Sequence, residues 1–128
     1  MNIFEENIKD HYRNPRNYSS KQIEYNGSCQ NLSCGDEIFV LLDVGYSKIN
    51  ILESRVISCI FTGSGCAISI ATMSMLSDEV IGKTLGEIDA WDENYLKTLI
   101  EIDINPARKK CLIIGLEALK QAISNLTR

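Results

Sequence analysis

Three of the five cysteines lie in settings that suit metal binding or sulfur chemistry. Cys34 stands in SCGDE, where Gly35 allows a close backbone approach and Asp36 follows two residues after the thiol. A thiolate and a carboxylate at this spacing on a tight turn can reach one cation together. Cys66 follows a glycine-serine-glycine turn and begins a predicted helix, where the helix dipole and free amides make a thiol more acidic. Both segments therefore predict chemically active thiols.

The third cysteine of this kind is Cys111. It lies early in the predicted last helix, three residues after Arg108 and beside Lys110 in the segment PARKKC. One isolated cysteine is usually structural, but three at loops or helix starts, each beside a charged residue or glycine, form a candidate site. The sequence has no CxxC pair, which argues against a zinc ribbon or a thioredoxin-like redox pair.

The other two cysteines have simpler explanations. Cys59 lies between apolar residues in VISCIF, which predicts a small buried side chain. Cys29 lies among polar neighbours where a strand leads into a loop, and we expect an incidental role for it. His11 is the single histidine, and we expect it to pack or to contact a partner rather than to bind a metal.

The elements that would position these cysteines follow from hydrophobic periodicity. Residues 2–13 read as a helix that ends before Pro15, and helices are also predicted from Cys66 to Gly82, over DENYLKTLIEI, and after the Asn105-Pro106 cap. The segments EIFVLLDV and ILESRVISCIFTG read as two strands joined by a reversal at GYSKIN, after a short earlier strand. Strands first and helices after predict an α+β fold with an antiparallel sheet of about three strands.

Composition bounds the class of protein. A chain of 128 residues with 45% hydrophobic content predicts one globular domain over residues 1–128. A net charge of -4 and a pI near 5.0 argue against nucleic-acid binding, and the apolar runs are too short to cross a membrane. We see no secretory signal and expect a reducing, cytoplasmic setting with free thiols or metal ligands.

The motifs SCGDE, GSGCAISIAT and PARKKC, in this order and with the opening DHYRNPRN, resemble the U-type iron–sulfur cluster scaffold family of IscU, SufU and the NifU N-terminal domain. The resemblance implies a SufE/NifU-like α+β fold with the three cysteines at one exposed end. It implies that Cys34, Asp36, Cys66 and Cys111 hold a transient iron–sulfur cluster, expected to be [2Fe–2S], or a zinc ion. Gly35 and Gly65 are then supporting residues.

Two features depart from individual branches of the family. The IscU branch has a histidine before the third cysteine, within a chaperone-binding segment, whereas this sequence has Lys110 and lacks that segment. PARKKC is similar to the SufU branch, but the interval from Cys66 to Cys111 is too short for the insertion typical of SufU. The sequence therefore mixes features of the two branches.

The charge of the implied site suggests a role for Arg108. Zinc with three thiolates and one carboxylate carries a net charge of about -2, which nearby cations would stabilise. We infer that Arg108 offsets the charge of the Cys111 thiolate and lowers its pKa. The alternative is that Arg108 is an ordinary solvated surface residue. The helix dipole supports this alternative, because it disfavours a cation at the start of a helix.

Three functions remain open from the sequence. The leading hypothesis is a non-enzymatic scaffold that accepts sulfur from a cysteine desulfurase, with Cys34 as persulfide acceptor, and passes the cluster to apo-proteins or carriers. The second is a zinc-dependent sulfurtransferase partner, similar to SufU, in which Cys34 relays persulfide without a cluster. The third is a binding module with structural zinc.

Overall fold

The computed structural model describes residues 3–32 and 35–128. Within these ranges the strands are Gly27–Asn31 (β1), Asp36–Gly45 (β2) and Arg55–Ser64 (β3). The helices are Ile3–Arg13 (α1), Ala67–Glu79 (α2), Leu85–Asp89 (α3), Glu93–Ile100 (α4) and Lys109–Leu126 (α5). The predicted α+β class is confirmed.

The three strands form one antiparallel sheet in the order β1-β2-β3. Every second residue of β2 points into the core, as the period-2 pattern predicts, and these buried residues are Ile38, Val40, Leu42 and Val44. At one end of the sheet, Asn31 pairs with Asp36 and Glu37 pairs with Ser64. The start of β2 and the end of β3 therefore lie side by side.

Helix α2 runs through the middle of the protein. It contacts α1, α4, α5 and β3, and every residue from Ser69 to Ser77 is buried. The spacing of Ile70, Met73 and Val80 predicts one apolar face, whereas in the structure this helix is buried on all sides between Ser69 and Ser77. Small side chains allow the neighbouring elements to approach closely, and hydrogen bonds satisfy the buried serines; Ser77, for example, donates to the carbonyl oxygen of Ser74 at 2.6 Å.

Helix α5 covers the inner side of β1 and β2. The apolar residues that the sequence places on its inward face are all buried: Leu112, Leu116, Leu119 and Ile123. A short 3-10 turn, Pro106–Arg108, precedes α5, and the Asn105 side chain caps it by accepting a hydrogen bond from the Ala107 amide at 2.9 Å. The capped turn leads directly into α5, whose third residue is Cys111.

Two local predictions were wrong or incomplete. Residues 51–54 were expected in the third strand, but Ile51–Glu53 form a 3-10 turn because the Asn50 side chain accepts a hydrogen bond from the Leu52 amide. Helix α3 was not predicted. The Thr84 hydroxyl caps it by accepting from the Glu87 amide at 3.1 Å, and a threonine followed three residues later by glutamate is the sequence signal that identifies such a helix start.

None of the helices in residues 3–32 and 35–128 combines the length and the hydropathy needed to cross a bilayer.

Candidate metal centre

Three predicted ligands from distant parts of the sequence meet at one end of the sheet. Asp36 is the first residue of β2, Cys66 is the N-cap of α2, and Cys111 lies in the first turn of α5. One carboxylate oxygen of Asp36 and the two sulfur atoms all lie within 4.8 Å of one another. The fold thus brings together two thiols and a carboxylate; that they bind a metal stays a prediction.

The predicted fourth ligand, Cys34, lies outside the described residues. Its neighbour Gly35 has a φ of +76°, a left-handed conformation that favours glycine, and its amide donates to the Asn31 carbonyl at 2.8 Å. Gly35 therefore belongs to the turn that leads from β1 into β2, directly before Asp36.

The Asp36 carboxylate is held inside the protein. Its residue is only 5% exposed, and its Oδ2 accepts a hydrogen bond of 2.6 Å from the hydroxyl of Ser69, which is fully buried. Gly65 lies against the carboxylate: a Cβ atom at that position would be 3.0 Å from Asp36 Cγ and 3.1 Å from Oδ1. The close approach explains why glycine precedes Cys66.

The two described thiols of the site differ in acidity. Burial raises the pKa of Cys66, but the Ser69 hydroxyl, the amides of Ser69 and Ile68, and the Cys111 thiol outweigh it, so the pKa of Cys66 is lowered. Burial and the neighbouring Cys66 and Asp36 raise the pKa of Cys111. Of the two thiols, Cys66 is therefore the more acidic, and Cys111 holds its proton more firmly.

The cationic residues near Cys111 are exposed. Arg108 directly precedes α5, and Lys110 is adjacent to the cysteine. Lys109 forms an ion pair with Glu93 at 3.1 Å. Burial and the neighbouring acidic groups raise the pKa of Cys111 in this structure, whereas Arg108 is predicted to lower it. That role of Arg108 stays a prediction.

The structure places the remaining cysteines and the histidine elsewhere. Cys59 is buried in the sheet at 2% exposure, as predicted. Cys29 lies in β1 beside a groove of about 450 Å³ between β1 and α5, where burial and the Glu117 carboxylate raise the pKa of its thiol. His11 Nδ1 lies 2.7 Å from the Ser74 hydroxyl, a packing contact between α1 and α2.

The donor set and its spacing fit a metal ion or cluster iron. Thiolates suit zinc and iron, and a tetrahedral zinc site with Zn–S bonds of about 2.3 Å separates its sulfurs by roughly 3.8 Å. The ligand atoms, which lie within 4.8 Å, need to move by no more than about 1 Å to reach that separation. Thiolate and carboxylate from three separate elements can therefore close around one ion without a change of fold.

Sequence reasoning missed one residue of this centre, Ser69. Its side chain lies 2.6 Å from Asp36 and 3.5 Å from the Cys66 sulfur. The available signal was its position: a serine one helical turn after Cys66, within an otherwise apolar segment, faces the same side as the helix start.

Comparison with known proteins agrees with the motifs. The sequence matches the family described as the NifU-like N terminal domain over residues 3–128. It is 33% identical over 128 residues to the iron-sulfur cluster assembly scaffold protein IscU of Buchnera aphidicola subsp. Baizongia pistaciae, covering 95% of this chain and 94% of that protein. With the IscU scaffold protein of Thermotoga maritima it shares 32% identity over 115 residues, which cover 77% of this chain and 76% of that protein.

Solved structures show the same fold. A NifU-like N-terminal protein from Brucella abortus superposes with a TM-score of 0.70 at 18% identity, covering 97% of this chain and 94% of that one. A SufU scaffold from Fervidobacterium islandicum, described as putative, superposes with a TM-score of 0.63 at 24% identity, with 96% of each chain covered. Together with the nearly complete family match, these likenesses lead to one conclusion: the chain belongs to the NifU-like N-terminal domain family.

Proposed function

We propose that this protein is an iron–sulfur cluster assembly scaffold. It accepts sulfur from a cysteine desulfurase, assembles a cluster on Cys34, Asp36, Cys66 and Cys111, and passes it to apo-proteins or carrier proteins. The observation that carries the proposal is the convergence of Asp36, Cys66 and Cys111 within 4.8 Å. The names of the IscU relatives support it, because they describe scaffolds of the same family.

The ligand set suits temporary binding of a cluster. Cysteine thiolates are the usual ligands of cluster iron, and a carboxylate is a harder donor that binds it more weakly than a fourth thiolate would. Asp36 therefore provides the ligand that leaves most readily. We expect Asp36→Ala to retain a bound cluster longer and to transfer it more slowly.

Sulfur enters by thiol exchange at Cys34. The Cys34 thiolate attacks the terminal sulfur of a persulfide on the desulfurase, a new S–S bond forms at Cys34, and the donor's S–S bond breaks. The donor cysteine leaves as a thiolate with the electron pair of the broken bond, so the step needs no added oxidant. The protein acts in this scheme as acceptor and scaffold rather than as a catalyst.

The remaining assignments follow from this role. We assign residues 1–128 to one scaffold domain, in keeping with the family match over residues 3–128. We assign the protein to the cytoplasm because its described cysteines are free thiols, which a reducing compartment preserves.

Anaerobic reconstitution tests the proposal. The protein is incubated with a cysteine desulfurase, cysteine, ferrous iron and a thiol reductant that converts persulfide sulfur to sulfide, then repurified and mixed with an apo-ferredoxin. A scaffold becomes brown, absorbs visible light and loses that absorption as the ferredoxin gains its cluster. Cys59→Ser should behave as wild type and Cys66→Ser should not.

The zinc-dependent sulfurtransferase is the alternative outcome of the same experiment. A colourless protein that retains one zinc ion and accepts labelled sulfur at Cys34 would contradict the scaffold function and support the zinc-dependent sulfurtransferase. A colourless protein with zinc and no labelled cysteine would indicate structural zinc.

A further inference from the structure

We propose that Ser69 is a positioning residue that fixes Asp36 as a one-oxygen ligand of the metal centre. The inference rests on the proposed function only in requiring that Asp36 is a ligand. The Ser69 hydroxyl donates to the Asp36 carboxylate, so Ser69 is proposed to act on a ligand rather than to be one.

The contact geometry separates the two oxygens of Asp36. Oδ2 accepts the Ser69 hydroxyl proton at 2.6 Å. A Cβ on Gly65 would lie 3.1 Å from Oδ1 and 3.1 Å from the Ser69 Cβ, so the carboxylate is fixed between Gly65 and α2. With Oδ2 engaged by the hydroxyl, the proposal assigns metal binding to Oδ1.

Burial makes this hydrogen bond consequential. Asp36 is 5% exposed and Ser69 is fully buried, so water has little access to replace the hydroxyl if it is removed. A buried carboxylate that loses a donor turns toward other partners, which removes it from the ligand set. Ser69 therefore maintains the orientation of Asp36 before the metal arrives.

The same hydroxyl also lies near the Cys66 sulfur. A serine hydroxyl has one proton, and the short contact to Asp36 assigns it there. The contact between the Ser69 hydroxyl and the Cys66 sulfur is longer, at 3.5 Å, and is therefore the weaker of the two. The stabilising effect of Ser69 on a loaded site must therefore act through Asp36.

A double-mutant cycle with zinc as the probe tests the proposal. Zinc affinity is measured by chelator competition for wild type, Ser69→Ala, Asp36→Ala and the double variant. Partners that orient metal ligands typically contribute about 10–100-fold in metal affinity. We expect Ser69→Ala to weaken zinc binding by about 10–100-fold in the wild type and by less than about threefold when Asp36 is already alanine.

A matched control is available on the same helix. Ser77 is also fully buried, and its hydroxyl donates to a backbone carbonyl rather than to a ligand. Ser77→Ala should perturb α2 comparably, as seen in thermal unfolding, and leave zinc affinity unchanged. Gly65→Ala is an independent perturbation that displaces Asp36 from the other side; its loss of affinity should also largely vanish with Asp36→Ala.

The possible outcomes distinguish a failure of the positioning role of Ser69 from a failure of the proposed scaffold function. If wild type binds no zinc and forms no cluster, the proposed function fails. If wild type binds zinc and Ser69→Ala binds it equally well, the positioning role fails while the site stands. An equal effect of Ser69→Ala in both backgrounds would likewise overturn the proposal, since Ser69 would then act on the fold and not through Asp36.

Discussion

Cys59 and Cys66 lie seven residues apart in the sequence and occupy opposite environments. Cys59 is in the middle of β3, where burial and the Asp78 charge raise the pKa of its thiol to about 12. Cys66 lies just beyond the end of the same strand, at the start of α2, where hydrogen-bond donors lower the pKa of its thiol. The residue type is the same, but one thiol is inert and the other is available for chemistry.

The two thiols differ in pKa because Cys59 lies inside a strand and Cys66 lies at the start of a helix. Inside the sheet, backbone groups bond to neighbouring strands and the thiol is surrounded by apolar side chains. At the start of a helix the first amides have no partner within the helix and can stabilise a thiolate. Because β2 and α5 also begin at this end, Asp36 and Cys111 meet Cys66 there. The comparison predicts that reactivity and metal binding are confined to the helix and strand starts.

The largest expected contrast is in thiol alkylation of the metal-free protein at pH 7.5. The pKa of about 12 at Cys59, against a lowered value at Cys66, implies at least a roughly 1000-fold difference in thiolate population. Iodoacetamide labelling followed by peptide mass spectrometry should show Cys66 modified well before Cys59, with Cys59 protected until the protein unfolds. Similar rates at the two residues would remove the basis of the comparison.

The next largest effect concerns zinc binding. Cys66→Ser and Cys111→Ser each remove one of the predicted ligands and should weaken zinc affinity on the order of 100–1000-fold, a share of the total energy of a four-ligand site. Cys59→Ser should leave zinc affinity unchanged while lowering the free energy of unfolding by about 1–3 kcal/mol, because it buries a hydroxyl. Chelator competition and urea unfolding measure the two effects. A Cys29→Ser variant that loses zinc while Cys66→Ser keeps it would contradict the assignment.

Alkaline pH should reveal the environment of Cys59. Its thiol has an ordinary pKa of 9.0 in the unfolded chain and about 12 in the folded protein. Below pH 9 the thiol is protonated in both the folded and the unfolded state, so Cys59 does not change the free energy of unfolding. Between pH 9 and 12 the unfolded chain loses this proton first, and the free energy of unfolding falls. At pH 10.5 the loss due to Cys59 is about 2 kcal/mol.

Cys59→Ala provides the control for that effect, since it removes the titrating group and leaves the lysines and tyrosines unchanged. Urea unfolding at pH 7.5 and 10.5 should show a smaller loss of stability for Cys59→Ala than for wild type. The same loss in both proteins would mean that Cys59 ionises normally in the fold.

The smallest expected effect concerns the charge beside the site. If Arg108 stabilises the Cys111 thiolate, Arg108→Ala should weaken zinc binding by up to about tenfold, and by a similar factor at pH 7 and pH 9, because a pKa raised to about 12 keeps the Cys111 thiol protonated over this range. Lys110→Ala serves as control and should have the smaller effect. Zinc titrations that give the same affinity for wild type and Arg108→Ala across this pH range would make Arg108 an ordinary surface residue.

The sequence predicts the fold well where periodicity and caps are strong. The alternating residues of β2 and the apolar face of α5 are buried as expected, whereas Asn105, predicted to cap the last helix, caps the 3-10 turn that precedes it. The start of β3 was misplaced because a local side-chain cap at Asn50 competes with strand formation, and short-range apolar content does not reveal such competition.

The candidate site shows a different limit. Asp36, Cys66 and Cys111 were identified by residue type and local setting, but their meeting depends on the register of β2 with β3 and on the docking of α5, which are tertiary properties. Ser69 was missed for the same reason: nothing in AISIAT shows that its hydroxyl reaches a carboxylate 33 residues away in the sequence.

Zinc X-ray absorption spectroscopy of the loaded protein tests the central claim, that one metal site is built from Cys34, Asp36, Cys66 and Cys111. The account predicts three sulfur ligands at about 2.3 Å and one oxygen ligand at about 2.0 Å. The sulfur count should fall to two in Cys34→Ser, Cys66→Ser and Cys111→Ser, and stay at three in Cys59→Ser. A wild-type site with four sulfur ligands, or a sulfur count that Cys34→Ser leaves unchanged, would contradict the account.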